Sequence, residues 1–197
     1  MFEKLVLASN NAGKLKEFAS LLGPLGITLV SQGELGVPEC PEPHSTFLEN
    51  ALAKARHASF MTGLPAVADD SGLCVEVLEG APGVMSARFA GEPRSDVRNN
   101  DLLVKMLQTQ TNRRGWYTCT LVLVRHHRDP QPMVAEGIWH GWITDEARGI
   151  NGFGYDPHFW LEDYGMTVAE LDPLLKNQIS HRGQAMQCLL NKLRAYP

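Results

Sequence analysis

The sequence predicts an α/β fold in which a mixed β-sheet carries helices packed on its faces. Short apolar runs alternate with stretches of helical periodicity, which is typical of strands joined by helices. Two long segments rich in branched and aromatic residues, 117–124 and 133–143, flank Asp129-Pro130 and predict an antiparallel pair in the same sheet. The 197 residues contain neither a repeat nor a linker, which indicates one domain over 1–197.

The first part of the chain divides into strands and helices in turn. Strands are expected over 5–8 and 27–30. The helix between them is predicted by apolar residues spaced i, i+3, i+4 and i+7, namely Leu15, Phe18, Ala19 and Leu22. Thr46 and Glu49 match the pattern of a capping box, so a second helix is expected to begin near Thr46 and to end at Gly63.

The remaining elements follow from similar signals. Strands are expected over 66–68 and 73–78, on either side of a turn formed by Asp69-Asp70-Ser71-Gly72. A glycine-rich loop is expected over 149–157. Helices are expected over 96–107, 167–171 and 183–193.

The composition argues against several classes of protein. Lys and Arg number 18 against 22 Asp and Glu, a formal net charge of −4 without a basic tail, which disfavours extended nucleic-acid binding. The four cysteines form no C-x-x-C pair, so neither a zinc site nor a disulfide framework is expected, and a reducing cytoplasm is the expected compartment. No apolar run is long enough for a signal peptide or a membrane span.

Two adjacent carboxylates, Asp69 and Asp70, end an apolar run. Adjacent carboxylates repel, and burial at a strand end raises that cost. A divalent cation relieves the conflict, and Mg²⁺ is commonly shared between one or two carboxylates and substrate phosphates. The alternative is a solvated turn.

The first strand leads through Ser9-Asn10-Asn11-Ala12-Gly13-Lys14 into a helix. A helix N-terminus presents backbone N–H groups to an anion, and Lys14 adds a full positive charge. The loop is not a Walker A motif, because Ala8 and Leu15 stand where that pattern needs Gly and Ser or Thr. The alternative is a helix capped by Asn11 with a surface lysine.

Two later segments could contact a ligand. In Gly152-Phe153-Gly154-Tyr155-Asp156 the glycines permit close backbone approach and the aromatic rings offer stacking faces, although the rings could equally anchor the loop to the core. Lys176, His181 and Arg182 precede a predicted helix, where positive charge opposes the helix dipole. A bound anion or a base acceptor atom would explain them, and a solvated connector is the alternative.

Six segments, in order, resemble the inosine/xanthosine triphosphate pyrophosphatase family. They span nearly the whole chain, at 9–14, 42–54, 68–73, 82–88, 152–157 and 180–183. The resemblance implies Mg²⁺-dependent hydrolysis of ITP, dITP and XTP between the α- and β-phosphates. It also implies a homodimer and an active-site cleft between two lobes. The apolar segment Trp139-His140-Gly141-Trp142 is a candidate dimer surface, or part of the core.

The resemblance also implies residue roles. Glu42 and Asp70 would hold the metal, and Asp70 would orient or deprotonate the attacking water, with Asp69 as its competitor. Residues of the first loop, together with Lys54 and Ser71, would bind the phosphates. The base pocket would comprise Phe153, Gly154, Tyr155, Asp156, Lys176, His181 and Arg182.

The chain departs from the family pattern at several positions. Asn10 stands where glycine is usual, and asparagine is the residue that best replaces glycine at positive φ. Further departures are His44, Asn151 and Leu175. Two other functions stay open, a pyrophosphatase for modified pyrimidine or methylated nucleotides and a nucleotide-binding regulator without turnover, although a regulator has no use for Glu42, Asp69 and Asp70 together.

Overall fold

A mixed seven-stranded sheet organises the computed structural model, which describes residues 3–195. Its strands are β1 (Lys4–Leu7), β2 (Thr28–Ser31), β3 (Ala66–Val75), β4 (Arg114–Val124), β5 (Met133–Ile143), β6 (Phe159–Leu161) and β7 (Met166–Thr167). The α-helices are α1 (Ala12–Leu22), α2 (Phe47–Thr62), α3 (Asp96–Leu107), α4 (Pro173–Ile179) and α5 (His181–Arg194). The strand order is β2-β1-β3-β4-β5-β6-β7; β1 runs parallel to β2 and β3, and β6 runs antiparallel to β5 and β7. The predicted α/β fold with a mixed sheet is confirmed.

The chain forms two compact units. The first unit comprises the described residues through Asp70, then Cys119–Gly137, and those from Ala185 onward. The second unit comprises Ser71–Thr118 and Ile138–Gln184. Strands β3, β4 and β5 each contribute residues to both units. The single catalytic domain and its cleft stay predictions.

The first unit buries apolar side chains on both faces of its strands, because successive strand residues point to opposite faces. Leu5, Leu7 and Val67 belong to one core, which α1 and α5 complete. Val6 and Ala68 belong to another, which is completed by three alanines of α2, namely Ala51, Ala55 and Ala58. The faces of β3 therefore look toward different helices.

The second unit has one core cluster. Leu73 of β3 and Leu103 of α3 belong to it, together with Trp139, which is 8% exposed. Trp139 is therefore a core residue, which agrees with the second of the two interpretations given for this segment. The half-buried Trp116 and Trp142 line an open cavity of about 650 Å³, and Trp139 also forms part of its lining.

Helix boundaries with clear local signals agree with prediction. Thr46 caps α2 by accepting a hydrogen bond from the Glu49 backbone N–H at 3.2 Å, and its hydroxyl donates to Glu49 Oε2 at 2.6 Å. Gly63 ends α2, and α3 has the predicted bounds. The helix expected over 167–171 is only a short 3₁₀ turn, Val168–Glu170.

Two predictions about element boundaries are wrong. The expected Asp-Asp turn does not form, because β3 continues as one strand through it. The last helix begins at His181 rather than at 183, because Ser180 Oγ accepts the Gly183 N–H at 3.2 Å and acts as its N-cap. Among the described residues, no helix combines the length and apolar character needed to cross a membrane.

Asp129 stabilises the connection between β4 and β5. Its Oδ2 accepts hydrogen bonds from Arg125 Nε at 2.7 Å and Arg125 N at 2.9 Å, and its Oδ1 accepts one from Gln131 N at 2.9 Å. The hydrogen bonds from Arg125 hold the pKa of Asp129 well below its ordinary value, although burial opposes them. This stabilisation is therefore complete above the ordinary pKa of about 3.9, and it is lost as the pH falls toward the lower folded value.

We expect Asp129→Ala to lower the free energy of unfolding by about 2 to 4 kcal/mol at pH 7, because it breaks a buried, charge-assisted network. Urea unfolding measures this, and the difference from the wild type should shrink in acid. Asp145→Ala is the matched control. Asp145 also pairs with an arginine, Arg113, at 2.7 Å, but its side chain is 62% exposed against 1% for Asp129. The control should cost less than about 1 kcal/mol, and equal losses would contradict the argument.

Candidate active site

Strand β3 separates the two adjacent carboxylates. Side chains alternate along a strand, so Asp69 shares a face with Val67, and Asp70 shares the opposite face with Ala68. Lys14 Nζ donates to both oxygens of the buried Asp69 carboxylate, at 2.7 and 2.9 Å. Lys14 is therefore not the surface lysine of the alternative interpretation. The repulsion expected between the carboxylates is relieved by giving each its own cation.

On the other face, Lys54 lies between two carboxylates. Its Nζ is 2.5 Å from Glu42 Oε1 and 3.5 Å from Asp70 Oδ1. Burial raises the pKa of Asp70, Lys54 opposes that rise, and Glu42 adds to it. Burial lowers the pKa of Lys54, but the carboxylates outweigh it, so the net change is upward. The helix α2 supplies both Lys54 and Asn50, and the Asn50 side chain acts to lower the pKa of Asp70.

This donor set fits a magnesium ion. Carboxylate oxygens of Glu42 and Asp70 both lie close to a single cation, the ammonium group of Lys54. Among the described side chains, which do not include that of Glu17, no three acidic, histidine or cysteine side chains form a group that could hold a metal ion. Mg²⁺ suits such a pair, because it takes one or two protein carboxylates and completes its shell with water and phosphate oxygens.

The loop before α1 uses its side chains to start the helix. Asn11 Oδ1 accepts hydrogen bonds from the backbone N–H groups of Gly13 at 2.9 Å and Lys14 at 3.2 Å, so Asn11 is the N-cap. Ser9 Oγ accepts one from Asn11 N at 3.2 Å. Glu79 is the one non-glycine residue with positive φ in the described chain, so Asn10 does not use the tolerance of asparagine for positive φ. The side chain of Ala12 lies outside the described part.

The second unit holds a separate cluster around the buried Asp156. Its Oδ2 accepts from Lys176 Nζ at 2.6 Å and from the Phe153 N–H at 2.8 Å, and its Oδ1 accepts from the Tyr117 hydroxyl at 3.2 Å. Gly152 has a φ of 80°, and a Cβ there would collide with Asp156 Oδ2. The glycine is therefore needed for the carboxylate to approach the loop.

The two aromatic residues of the loop differ in burial. The Phe153 side chain is 63% exposed, and Lys176 Nζ lies 4.7 Å from its ring centroid. Tyr155 is buried, and its hydroxyl donates to the Ser86 carbonyl at 2.8 Å. Tyr155 anchors the loop to the core, as the alternative interpretation states, whereas Phe153 keeps a face open for stacking.

Lys176, His181 and Arg182 belong to helices rather than to a solvated connector. Lys176 lies in α4, and His181 and Arg182 form the first turn of α5. The buried His181 ring stacks on Tyr117 with centroids 4.8 Å apart and planes 14° apart. Arg182 Nη2 donates to Ser71 Oγ at 3.4 Å.

Sequence reasoning missed Tyr117 and Asn50. Tyr117 contacts both Asp156 and His181, and burial together with the Asp156 carboxylate raises its pKa. Its position in a strand gave no signal, since tyrosine is common in strands. Asn50 lies four residues before Lys54 and therefore on the same face of α2, and this spacing could have indicated it.

Comparisons of the whole chain with known proteins identify its relatives. Residues 5–192 match the family model described as the Ham1 family. The chain is 68% identical, over 99% of each chain, to "dITP/XTP pyrophosphatase" of Chromobacterium violaceum. It is 62% identical to the protein of the same name from Bordetella pertussis, over 98% of this chain and 92% of that one. A solved HAM1 protein structure from Coxiella burnetii matches with a TM-score of 0.96 and 45% identity, over 99% of this chain and 100% of that one.

Proposed function

The chain belongs to the Ham1 family, and from that premise we propose that it hydrolyses non-canonical purine nucleoside triphosphates. The substrates are dITP, XTP and ITP, and the products are the nucleoside monophosphate and pyrophosphate. The reaction removes these nucleotides before they are incorporated into DNA or RNA. The name carried by the relatives from C. violaceum and B. pertussis supports the choice of substrates.

Asp70 and Glu42 are the proposed ligands of Mg²⁺. When bound, Mg²⁺ supplies charge neutralisation at the phosphate oxygens. Asp70 orients the attacking water or accepts its proton, and water adds across the bond between the α- and β-phosphates. The observation that carries the proposal is that Asp69 and Asp70 lie on opposite faces of β3. Asp69 forms an ion pair with Lys14, whereas Asp70 lies near a second carboxylate, Glu42, with Lys54 between them.

The phosphates are proposed to bind at cations and at polar groups near the same strand. Lys14 and Lys54 supply positive charge, and Ser71 supplies a hydroxyl beside the Arg182 guanidinium. The first loop, Ser9 to Lys14, contributes the N-terminal end of α1, where backbone N–H groups favour an anion.

The base is proposed to bind at the Asp156 cluster. Phe153 stacks on the purine ring. The polar edge of the purine is contacted by Lys176, His181 and Arg182. An ammonium group has three donors, and one of those on Lys176 is used by Asp156. The others suit the O6 acceptor of hypoxanthine and xanthine. Adenine presents an N6 donor instead, and each unmet buried group costs about 1–3 kcal/mol.

Pyrophosphate release from five nucleotides, with Mg²⁺ and with EDTA, tests this function. We expect turnover of ITP, XTP and dITP that requires the metal and far exceeds turnover of GTP and ATP. Equal turnover of all five would remove the base-pocket assignment and leave the metal assignment standing. No turnover of any would contradict the proposed function, and modified pyrimidine nucleotides would be tested next.

We also propose that the enzyme is a cytoplasmic homodimer. The free thiols of Cys40, Cys74 and Cys188 suit a reducing compartment, and a nucleotide pool supplies the substrate there. The homodimer rests on the family resemblance, and sedimentation of the purified chain tests it.

A further inference from the structure

Two side chains of α3 hydrogen-bond the backbone of Gly154, in the loop that carries Phe153 and Tyr155. Asp96 Oδ2 accepts a hydrogen bond from the Gly154 N–H at 2.8 Å. Asn100 Nδ2 donates to the Gly154 carbonyl, also at 2.8 Å. Asp96 and Asn100 are four residues apart, so their side chains lie on the same face of α3. Together they form a two-point clamp on the Gly154 backbone.

The same helix also holds the partner of Tyr155. Asn99 Nδ2 donates to the carbonyls of Ser86 and Ala87, at 3.3 and 3.2 Å. The Tyr155 hydroxyl donates to that same Ser86 carbonyl. The residue that follows Gly154 is therefore fixed to a segment that α3 positions.

Phe153 depends on these backbone contacts because its ring is mostly exposed. Its backbone N–H binds Asp156, and the next residue, Gly154, is held by the clamp. Gly154 has a φ of 62°, while an added Cβ would meet nothing within 4 Å. The glycine is thus required for its dihedral angle rather than for space, and the clamp stabilises that conformation.

We propose that Asp96 and Asn100 are positioning residues for base recognition, holding Phe153 in place for stacking on the purine. This inference rests on the proposed function. It predicts that loss of the clamp weakens binding of the nucleotide through its base and leaves both pyrophosphate binding and the chemical step intact. Neither residue needs to touch the substrate.

Asp96→Ala tests the clamp, with Asp96→Asn and Asp101→Ala as its controls. Asp96 is exposed, so its truncation leaves no cavity in the core. Asp96→Asn keeps a hydrogen-bond acceptor but loses the negative charge that stabilises the N-terminus of α3. It therefore separates the effect of the hydrogen bond from the effect of the charge. Asp101 is an exposed acid on the same helix.

The expected result for Asp96→Ala is a KM for dITP raised about tenfold, the effect of losing one hydrogen bond. Its kcat should change by less than about twofold, and the inhibition constant of pyrophosphate should stay unchanged. Asp96→Asn should restore most of the wild-type KM, and Asp101→Ala should match the wild type.

Two results would overturn the inference alone. One is an active wild type whose KM is matched by Asp96→Ala. The other is a pyrophosphate inhibition constant that rises as much as the KM, which would indicate general damage. An inactive wild type would overturn the proposed function, and this inference with it.

Discussion

Asp70→Asn is expected to lower kcat for dITP by about a hundredfold or more, the usual scale for loss of an acid–base group. The substitution removes the negative charge that faces Glu42 and Lys54 but keeps the size of the side chain. It should also raise the Mg²⁺ concentration needed for half-maximal activity, because one of two metal ligands becomes neutral. Steady-state pyrophosphate release over a magnesium titration measures both effects.

Asp69→Asn is the matched control, since it is isosteric and adjacent. It is also expected to lower kcat by disturbing Lys14, but its magnesium requirement should stay close to that of the wild type. If Asp70→Asn kept near-full turnover, or if Asp69→Asn alone raised the magnesium requirement, the assignment of the two carboxylates would be wrong.

The raised pKa of Asp70 also predicts a pH dependence of magnesium binding. As the pH is lowered, Asp70 takes up a proton at a higher pH than an ordinary carboxyl does, so magnesium affinity should begin to decrease at that higher pH.

Lys176→Met is expected to lower kcat/KM for dITP by about tenfold to a hundredfold, the effect of one or two unmet donor contacts. Methionine keeps an unbranched side chain, one heavy atom shorter, but cannot donate to the base or to Asp156. Turnover of dATP should fall less, so the ratio of dITP to dATP turnover should decrease. Steady-state kinetics with both nucleotides measures this ratio.

Lys105→Met is the control, because Lys105 is an exposed lysine on α3 outside the cluster. Asp156 loses its cation in Lys176→Met, so thermal unfolding should be followed in parallel to separate misfolding from loss of recognition. An unchanged dITP to dATP ratio in a folded Lys176→Met variant would show that the lysine does not read the base edge.

Local signals explain which parts of the fold could be predicted. The start of α2 follows from Thr46 and Glu49, which lie three residues apart, and α3 has its predicted bounds. The interior of β3 could not be predicted this way. Two aspartates are unfavourable in a strand unless distant lysines compensate them, and Lys14 lies 55 residues before Asp69.

The candidate site shows the same division. Family motifs pointed to Asp156 and Lys176, which the structure joins in an ion pair. Tyr117 and the clamp of Asp96 and Asn100 carried no motif, because their hydrogen-bond partners are 39 to 58 residues away and the contacts arise only in the folded chain. A hydrophobic pattern reports which face is buried, and it does not report which buried polar groups meet.

The position of Asp70 inside β3 has a consequence for how substrate preference can change. The strand has neighbours on both sides, β1 and β4, so its backbone tolerates little variation. The proposed base contacts lie instead on a loop, which accepts substitution and insertion more readily, on the short helix α4 and in the first turn of α5. If the proposed roles hold, a chain built this way can exchange one nucleobase preference for another by remodelling Phe153 and its surroundings, while the carboxylates proposed for hydrolysis stay unchanged.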